Sequence, residues 1–144
     1  MNDYALTARS AQLYYRYARA IDQCDLDTAR SIAVDDVQVT IGDGPTQHGV
    51  GAFLEIFRRH QARELLFSRH LVTNVLAERA GHQVVTHAYF QATFFEDAET
   101  RMIFGVYDDV HTEEGAGLKI AHKKIRVERV VVLPASMPWG RLSA

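Results

Sequence analysis

The chain carries one cysteine, Cys24, and three prolines in 144 residues. A lone thiol excludes an internal disulfide and a Cys-based metal cluster. Its ordinary reading is a small buried hydrophobe, not a nucleophile. No apolar run approaches the ~18 residues of a membrane span. Met1 to Ser10 lacks a long apolar centre and does not read as a secretory leader. Excess charge of one sign is also missing: 16 Lys+Arg against 18 Asp+Glu leave a net charge of −2. That argues against a phosphate-backbone binder, which needs a basic surface. The expectation is a cytoplasmic protein with neither nucleic acid nor membrane as partner.

Ligand motifs are equally scarce. No His-Glu-x-x-His or similar spacing appears, so no metal is expected. Gly42-x-Gly44 lacks the rest of a phosphate loop and reads as a turn, so no nucleotide cofactor is expected. The one basic run, Lys119 to Arg129, alternates with apolar residues, the pattern of a strand with one wet face.

What is present is ordinary globular material. Apolar residues make up 47% and charged residues 24%, which excludes a disordered chain. The length suits one domain, residues 1–144, able to bury a core without staples. Thr7 to Cys24 reads as a helix with Leu13, Tyr14, Tyr17, Ala18 and Ile21 on one face. Asp27 to Ala33 reads as a second, short helix capped by Asp25 or Asp27. Val37 to Ile41 alternates as a strand. Gly42 to Pro45 is a turn. Gly49 to His60 gives a third helix with Phe53, Leu54 and Phe57 inward. From Phe67 the period becomes two, and strands are expected over 67–77, 83–95, 101–112 and 118–133. Helices first and strands afterwards indicate an α+β fold: three N-terminal helices packed in a cone on a strongly curved antiparallel sheet.

Both faces of the Gln83–Phe95 strand are apolar. One carries Val84, Ala88, Phe90 and Phe94; the other carries Val85, Tyr89 and Phe95. One domain covers one face, so a pocket is expected on one side and a homodimer or homotrimer contact on the other.

Three ionisable residues stand at unusual positions. Asp22 ends the inward stripe of the first helix. His70 lies in the apolar run before Leu71 and Val72. His87 lies inside Val84 to Phe90. A carboxylate bonded to one imidazole nitrogen fixes the tautomer and raises basicity at the other. In a dry pocket this makes a general base, with the second histidine as acid. The plainer readings are a helix-end cap for Asp22 and satisfied strand histidines for His70 and His87. His48, His60, His82, His111 and His122 read as surface residues.

Several segments together resemble a known family. They are Tyr14 to Asp22, Asp25-Leu26-Asp27, Gly49 to Leu54, Ser68 to Asn74, Gly105 to Asp109 and Lys119 to His122. They follow one another as in SnoaL-like proteins of the nuclear-transport-factor-2-like superfamily. The resemblance runs from about Tyr14 to Val132. It implies cofactor-independent lyase, isomerase or cyclase chemistry on a hydrophobic, cyclic small molecule. Asp22, His70 and His87 look like the catalytic set of scytalone dehydratase. Asp22 with His70-x-x-Thr73-Asn74 looks like the dyad of hexachlorocyclohexane dehydrochlorinase. The dehydratase's tyrosines fall at Ile21 and Ile41 here, with Tyr17, Tyr89 and Tyr107 as stand-ins. The implied pocket draws on Tyr17, Ala18, Phe53, Phe57, Val72, Asn74, Tyr89, Tyr107 and Asp109. Ser68 to Val75 and Lys119 to Trp139 also resemble β subunits of aromatic-ring-hydroxylating dioxygenases. That alternative implies a structural role beside an iron-containing α subunit. A carrier of a small apolar ligand is the third reading.

Overall fold

A computed structural model describes residues 3–134. Trp139, at the end of the second resemblance, lies outside them. The helices are α1 (Asp3–Gln23), α2 (Leu26–Ser31) and α3 (Val50–Gln61), and the first two strands come between α2 and α3. The strands are β1 (Ala33–Ile41), β2 (Gln47–His48), β3 (Phe67–Ala80), β4 (Gln83–Phe95), β5 (Glu99–Tyr107), β6 (Val110–Glu114) and β7 (Gly117–Pro134).

Helix α1 forms because its apolar residues recur at helical spacing and share one burial face. Leu6, Leu13, Tyr14, Tyr17, Ala18 and Ile21 are all buried. It ends where Cys24 turns left-handed, φ 52°, and the Asp25 N–H reaches back to the Ala20 carbonyl. Asp25 then caps α2, accepting from the Thr28 N–H at 3.0 Å and the Thr28 hydroxyl at 2.6 Å. This tight turn fixes the direction in which the last turn of α1, with Asp22, meets the sheet.

The sheet runs β2-β1-β7-β5-β4-β3, and β6 pairs with β4 and β7. Most pairs are antiparallel, as expected. The exception is β1, which lies parallel to β7 and makes the sheet mixed. The expected strand over 101–112 is two strands, because Asp108 and Asp109 leave the ladder between β5 and β6. In β3, Asn74 and Val75 stand opposite one residue of β4, between the pairs Thr73–Tyr89 and Leu76–His87. Asn74 takes φ 54° there, so this is a β-bulge.

The inner face of β4 is Val84, Thr86, Ala88, Phe90, Ala92 and Phe94, all buried. Its apolar residues share one core cluster with Tyr17 of α1 and with Phe53 and Phe57 of α3, whose rings meet one another. Gly105 lies opposite Phe90, and a Cβ there would come within 2.3 Å of the Arg126 carbonyl and 2.5 Å of the Phe90 ring. The missing side chain leaves Phe90 room to stack on Tyr107 at 4.4 Å.

Inside this apolar core lies an ion pair. Lys123 and Asp109 are both fully buried and 2.9 Å apart. The Lys123 ammonium lies 3.2 Å from the Tyr107 ring centroid, 4.2 Å from Tyr17 and 5.2 Å from Tyr14, so three aromatic faces share the cation. Asp109 also accepts the Lys124 N–H at 2.9 Å. Its carbonyl takes the Thr86 hydroxyl, and Thr86 in turn accepts from Tyr14 at 2.6 Å. Burial lowers the Lys123 pKa to about 8 against the opposing pull of Asp109.

Removing one ion of such a pair strands the other in an apolar medium. Asp109→Ala should therefore cost about 3–5 kcal/mol in urea unfolding. The double variant Asp109→Leu with Lys123→Met should recover much of that loss, since both charges then leave together.

Candidate active site

The end of α1 and the start of β3 meet at one carboxylate. Asp22 Oδ1 accepts from His70 Nδ1 at 2.6 Å and from the Ser68 hydroxyl at 3.0 Å. Asp22 Oδ2 accepts from the His70 backbone N–H at 2.9 Å. The side chains are nearly dry, with 7% of Asp22 and 6% of His70 exposed. Burial raises the Asp22 pKa, but the His70 ring and N–H, the His70 charge and the Ser68 hydroxyl together outweigh it. The carboxyl is held below its usual range. With Nδ1 donating to an ionised carboxylate, His70 keeps its lone pair on Nε2.

His60, at the C-terminal end of α3, completes the group. Its Nε2 lies 2.9 Å from the Ser68 oxygen. Ser68 donates to Asp22, so His60 donates to Ser68 and keeps its lone pair on Nδ1. Its ring meets the His70 ring edge-on at 5.3 Å. Burial, followed by the positive charge of His70, pushes the His60 pKa down to about 4, so the imidazole is neutral at neutral pH. Asp22, His60 and His70 each present a ligating atom, all within 4.8 Å of one another. They could hold a metal, but the present arrangement is one of shared protons. Two ligands at 2.0–2.1 Å from a tetrahedral ion sit roughly 3.3 Å apart, and Asp22 and His70 are closer than that.

Both imidazoles line a cavity of about 220 Å³. Its walls are Tyr17, Ile21, Ile41, Ile56, Phe90, Ala92, Phe94, Ile103, Tyr107, Ile125 and Val127, with Arg59 and Arg63 beside the histidines. Tyr17 and Tyr107 have raised pKa values, through burial first and then the Asp109 charge for Tyr17 and Tyr17 itself for Tyr107. They stay neutral phenols. His60 and Asp22 also border a second cavity of about 330 Å³, behind the pair, with Cys24, Glu64 and Arg69.

Several sequence expectations are corrected here. His87 is on the outer face of β4, since its neighbours Thr86 and Ala88 are the buried ones. It pairs with Asp108 at 2.6 Å, with 42% of its side chain exposed, and is remote from Asp22. Tyr89 shares that face and is 52% exposed. Asn74 is exposed on the bulge. Ala18, Phe53, Phe57 and Val72 are buried in the core and are not part of the cavity wall, and Asp109 is occupied by Lys123. Tyr17 and Tyr107 do line the cavity. His60, read as surface, belongs to the site. His111, also read as surface, is fully buried, with Ser10 3.4 Å from Nδ1 and no hydrogen bond at Nε2, where the Asp109 carboxylate is 4.0 Å away. The amphipathic alternation of α3 placed Phe57 inward and could have flagged His60 one turn beyond, beside it on the same helix. Nothing local marks Lys123.

With that geometry in view, the SnoaL-like domain model matches residues 6–124. The chain belongs to the SnoaL-like family. No curated protein sequence matches it. Among solved structures, one similar to this SnoaL-like chain is the hexachlorocyclohexane dehydrochlorinase LinA-type3 of Novosphingobium barchaimii LL02. The identity is 18%, with 93% of each chain covered and a TM-score of 0.77. Another, from Novosphingobium aromaticivorans DSM 12444 and described provisionally as a scytalone dehydratase, is 12% identical. It covers 86% of this chain and 85% of its own at a TM-score of 0.77. A protein of unknown function from Mycobacterium tuberculosis is 25% identical, covering 85% of this chain and 71% of its own at a TM-score of 0.74. These likenesses establish the nuclear-transport-factor-2-like α+β fold. Among the described residues no helix is long and apolar enough to cross a membrane.

The buried histidines make stability depend on pH. Burial holds the His111 pKa at about 4, below its unfolded value, so the unfolded chain binds the extra proton first as pH falls. The stabilisation is complete above about pH 6.5 and is lost on the way down to about pH 4, up to about 3 kcal/mol for this one residue. Urea midpoints across that range should fall for the native chain and fall less steeply for His111→Phe.

Proposed function

We propose that the protein is a cofactor-independent lyase or isomerase that removes a proton from carbon in a small, mainly apolar molecule. The observation that carries this is the Asp22–His70 contact of 2.6 Å beside an open cavity. In this reading His70 Nε2 takes the proton, and Asp22 stabilises the imidazolium that forms. The apolar wall keeps water from the base and favours a cyclic body. Tyr17 and Tyr107, as neutral phenols on the wall, suit hydrogen-bond donation to an oxygen that gains charge. The second imidazole in the cavity is His60, in place of His87; neutral and donating to Ser68, it helps to hold Ser68 against Asp22.

The alternative of a structural dioxygenase β subunit beside an iron-containing α subunit has one feature against it. His70 faces a cavity, whereas a purely structural pair needs no opening. A carrier of a small apolar ligand would keep the cavity and have no need of the dyad. The same reading extends to assembly. Leu71, Leu76, Val85, Tyr89 and Phe95 share the outer face of β3 and β4 and are 41–65% exposed. They suit a homodimer or homotrimer contact. Sedimentation at micromolar concentration tests it, and a monomer throughout removes it.

Asp22→Asn is the sharpest test of the dyad. The His70 backbone N–H cannot turn away from Asp22 Oδ2, so an Asn must place its oxygen there and its NH₂ against Nδ1. That reverses the tautomer and puts the proton on Nε2. Ring ¹⁵N NMR should show Nδ1 protonated in the native chain and Nε2 protonated in the variant. With any substrate in hand, His70→Ala should lower kcat by about 10²–10⁴. The Asp22/His70 double variant should be scarcely slower than the worse single one. An unchanged tautomer, or additive losses, would remove the dyad from the mechanism.

A further inference from the structure

The cavity wall is apolar except at one place, and there the charges are all of one sign or neutral. Phe94, 5% exposed, is a platform shared by three groups. The His60 ring lies 5.0 Å from it, the His70 ring 5.7 Å, and the Arg63 guanidinium 5.3 Å above its centroid. Arg63 makes no ion pair with a carboxylate among the described residues. Its contact is this ring face, which holds a long, otherwise mobile side chain at the cavity edge. Its neighbour Arg59 pairs with Glu55 at 3.3 Å on the exposed surface of α3, so its charge is partly met already. Arg63 is close enough to depress the His60 pKa, after burial and His70. The one carboxylate at the site, Asp22, is enclosed by His70 and Ser68. A ligand entering the cavity thus meets an aromatic and aliphatic wall, the imidazoles of His60 and His70, and a guanidinium with no carboxylate partner among the described residues.

We infer that the natural ligand is an apolar ring or chain bearing a carboxylate, with the carboxylate on Arg63 and the apolar body against Phe90, Phe94 and Tyr107. The inference builds on the cavity as the substrate site proposed above and names the substrate class. Guanidinium and carboxylate match as planar two-point partners, and a cation already stacked on an aromatic ring loses little freedom on binding. The arrangement also has a chemical use. Carbon beside a carboxylate is a reluctant acid, because its oxygens already carry one negative charge and must take a second as the proton leaves. A fixed guanidinium at those oxygens, near His70, offsets the accumulation.

The test uses the full-length protein with benzoate and 3-phenylpropionate as probes and their primary amides as uncharged controls. Calorimetry at pH 7 and low salt gives the affinities, and NMR of the His70 and Phe94 resonances gives the location. The native chain should bind each acid at least about tenfold tighter than its amide, a typical effect of a charge-assisted contact. Both probes should shift the His70 and Phe94 signals. Arg63→Met keeps the apolar stem and should bring the acids down to the level of the amides while amide binding stays unchanged. Arg63→Lys should restore part of the preference. Equal affinity for acid and amide in the native chain overturns the inference. So does a preference that survives Arg63→Met, an acid that leaves His70 and Phe94 unshifted, or no acid binding at millimolar concentration. The His70 tautomer measurement uses no probe. A dyad that passes it while the acids fail here strikes the carboxylate subsite alone.

Discussion

The carboxylate of Asp22 joins two parts of the molecule that differ in every other respect. On one side is a long helix that packs by apolar area alone. On the other is the first long strand of the sheet, whose ladder is made of backbone hydrogen bonds. Asp22 accepts three donors from Ser68 and His70, two from side chains and one from the backbone. The backbone donor sets where the strand lies relative to the helix. The ring donor sets how the imidazole faces the cavity. One ion therefore fixes both the docking of the sheet and the protonation of the base, and a charge-assisted bond in a dry place is strong enough for both. A neutral residue of the same shape could hold the position but not the tautomer.

A second polar system supports the wall opposite. Tyr14, Thr86, Asp109 and Lys123 form a continuous chain of donors and acceptors through the core. It rigidifies the junction of β4, β6 and β7, and its cation rests on the rings of Tyr17 and Tyr107. These two tyrosines are the floor of the cavity. The Lys123 ammonium group lies against both rings. Buried charge here is a device of position. The apolar packing around it supplies most of the stabilisation.

Much of this was legible in the residues. The helical spacing of Leu13, Tyr14, Tyr17 and Ile21 and the alternation from Phe67 onward sufficed for an α+β chain with a curved sheet. Asp22 and His70 stood out because each interrupts an apolar pattern. His87 stood out for the same reason and was misleading. Both faces of β4 are apolar, so alternation says which residues share a face but not which face is inside. His60, His111 and Lys123 were hidden by the opposite effect. Each belongs to a residue type that is usually wet, and only the packing of distant elements shows that it is dry. Lys123 is further obscured by a register shift between β6 and β7 at His111, which breaks the inside–outside rhythm of β7 two residues earlier.

The bulge in β3 has a comparable effect on that strand. Before it, Ser68, His70 and Val72 point inward; after it, Val75 and Ala77 do. The extra residue at Asn74 resets the phase, so one continuous strand serves the cavity at one end and the core at the other. It also isolates them. A change in length at the β3–β4 hairpin alters the phase of the outer half of the ribbon, and the unpaired residue can absorb it before it reaches His70. The far end of the ribbon is thus set apart from the cavity end, where the base stays in register with its carboxylate.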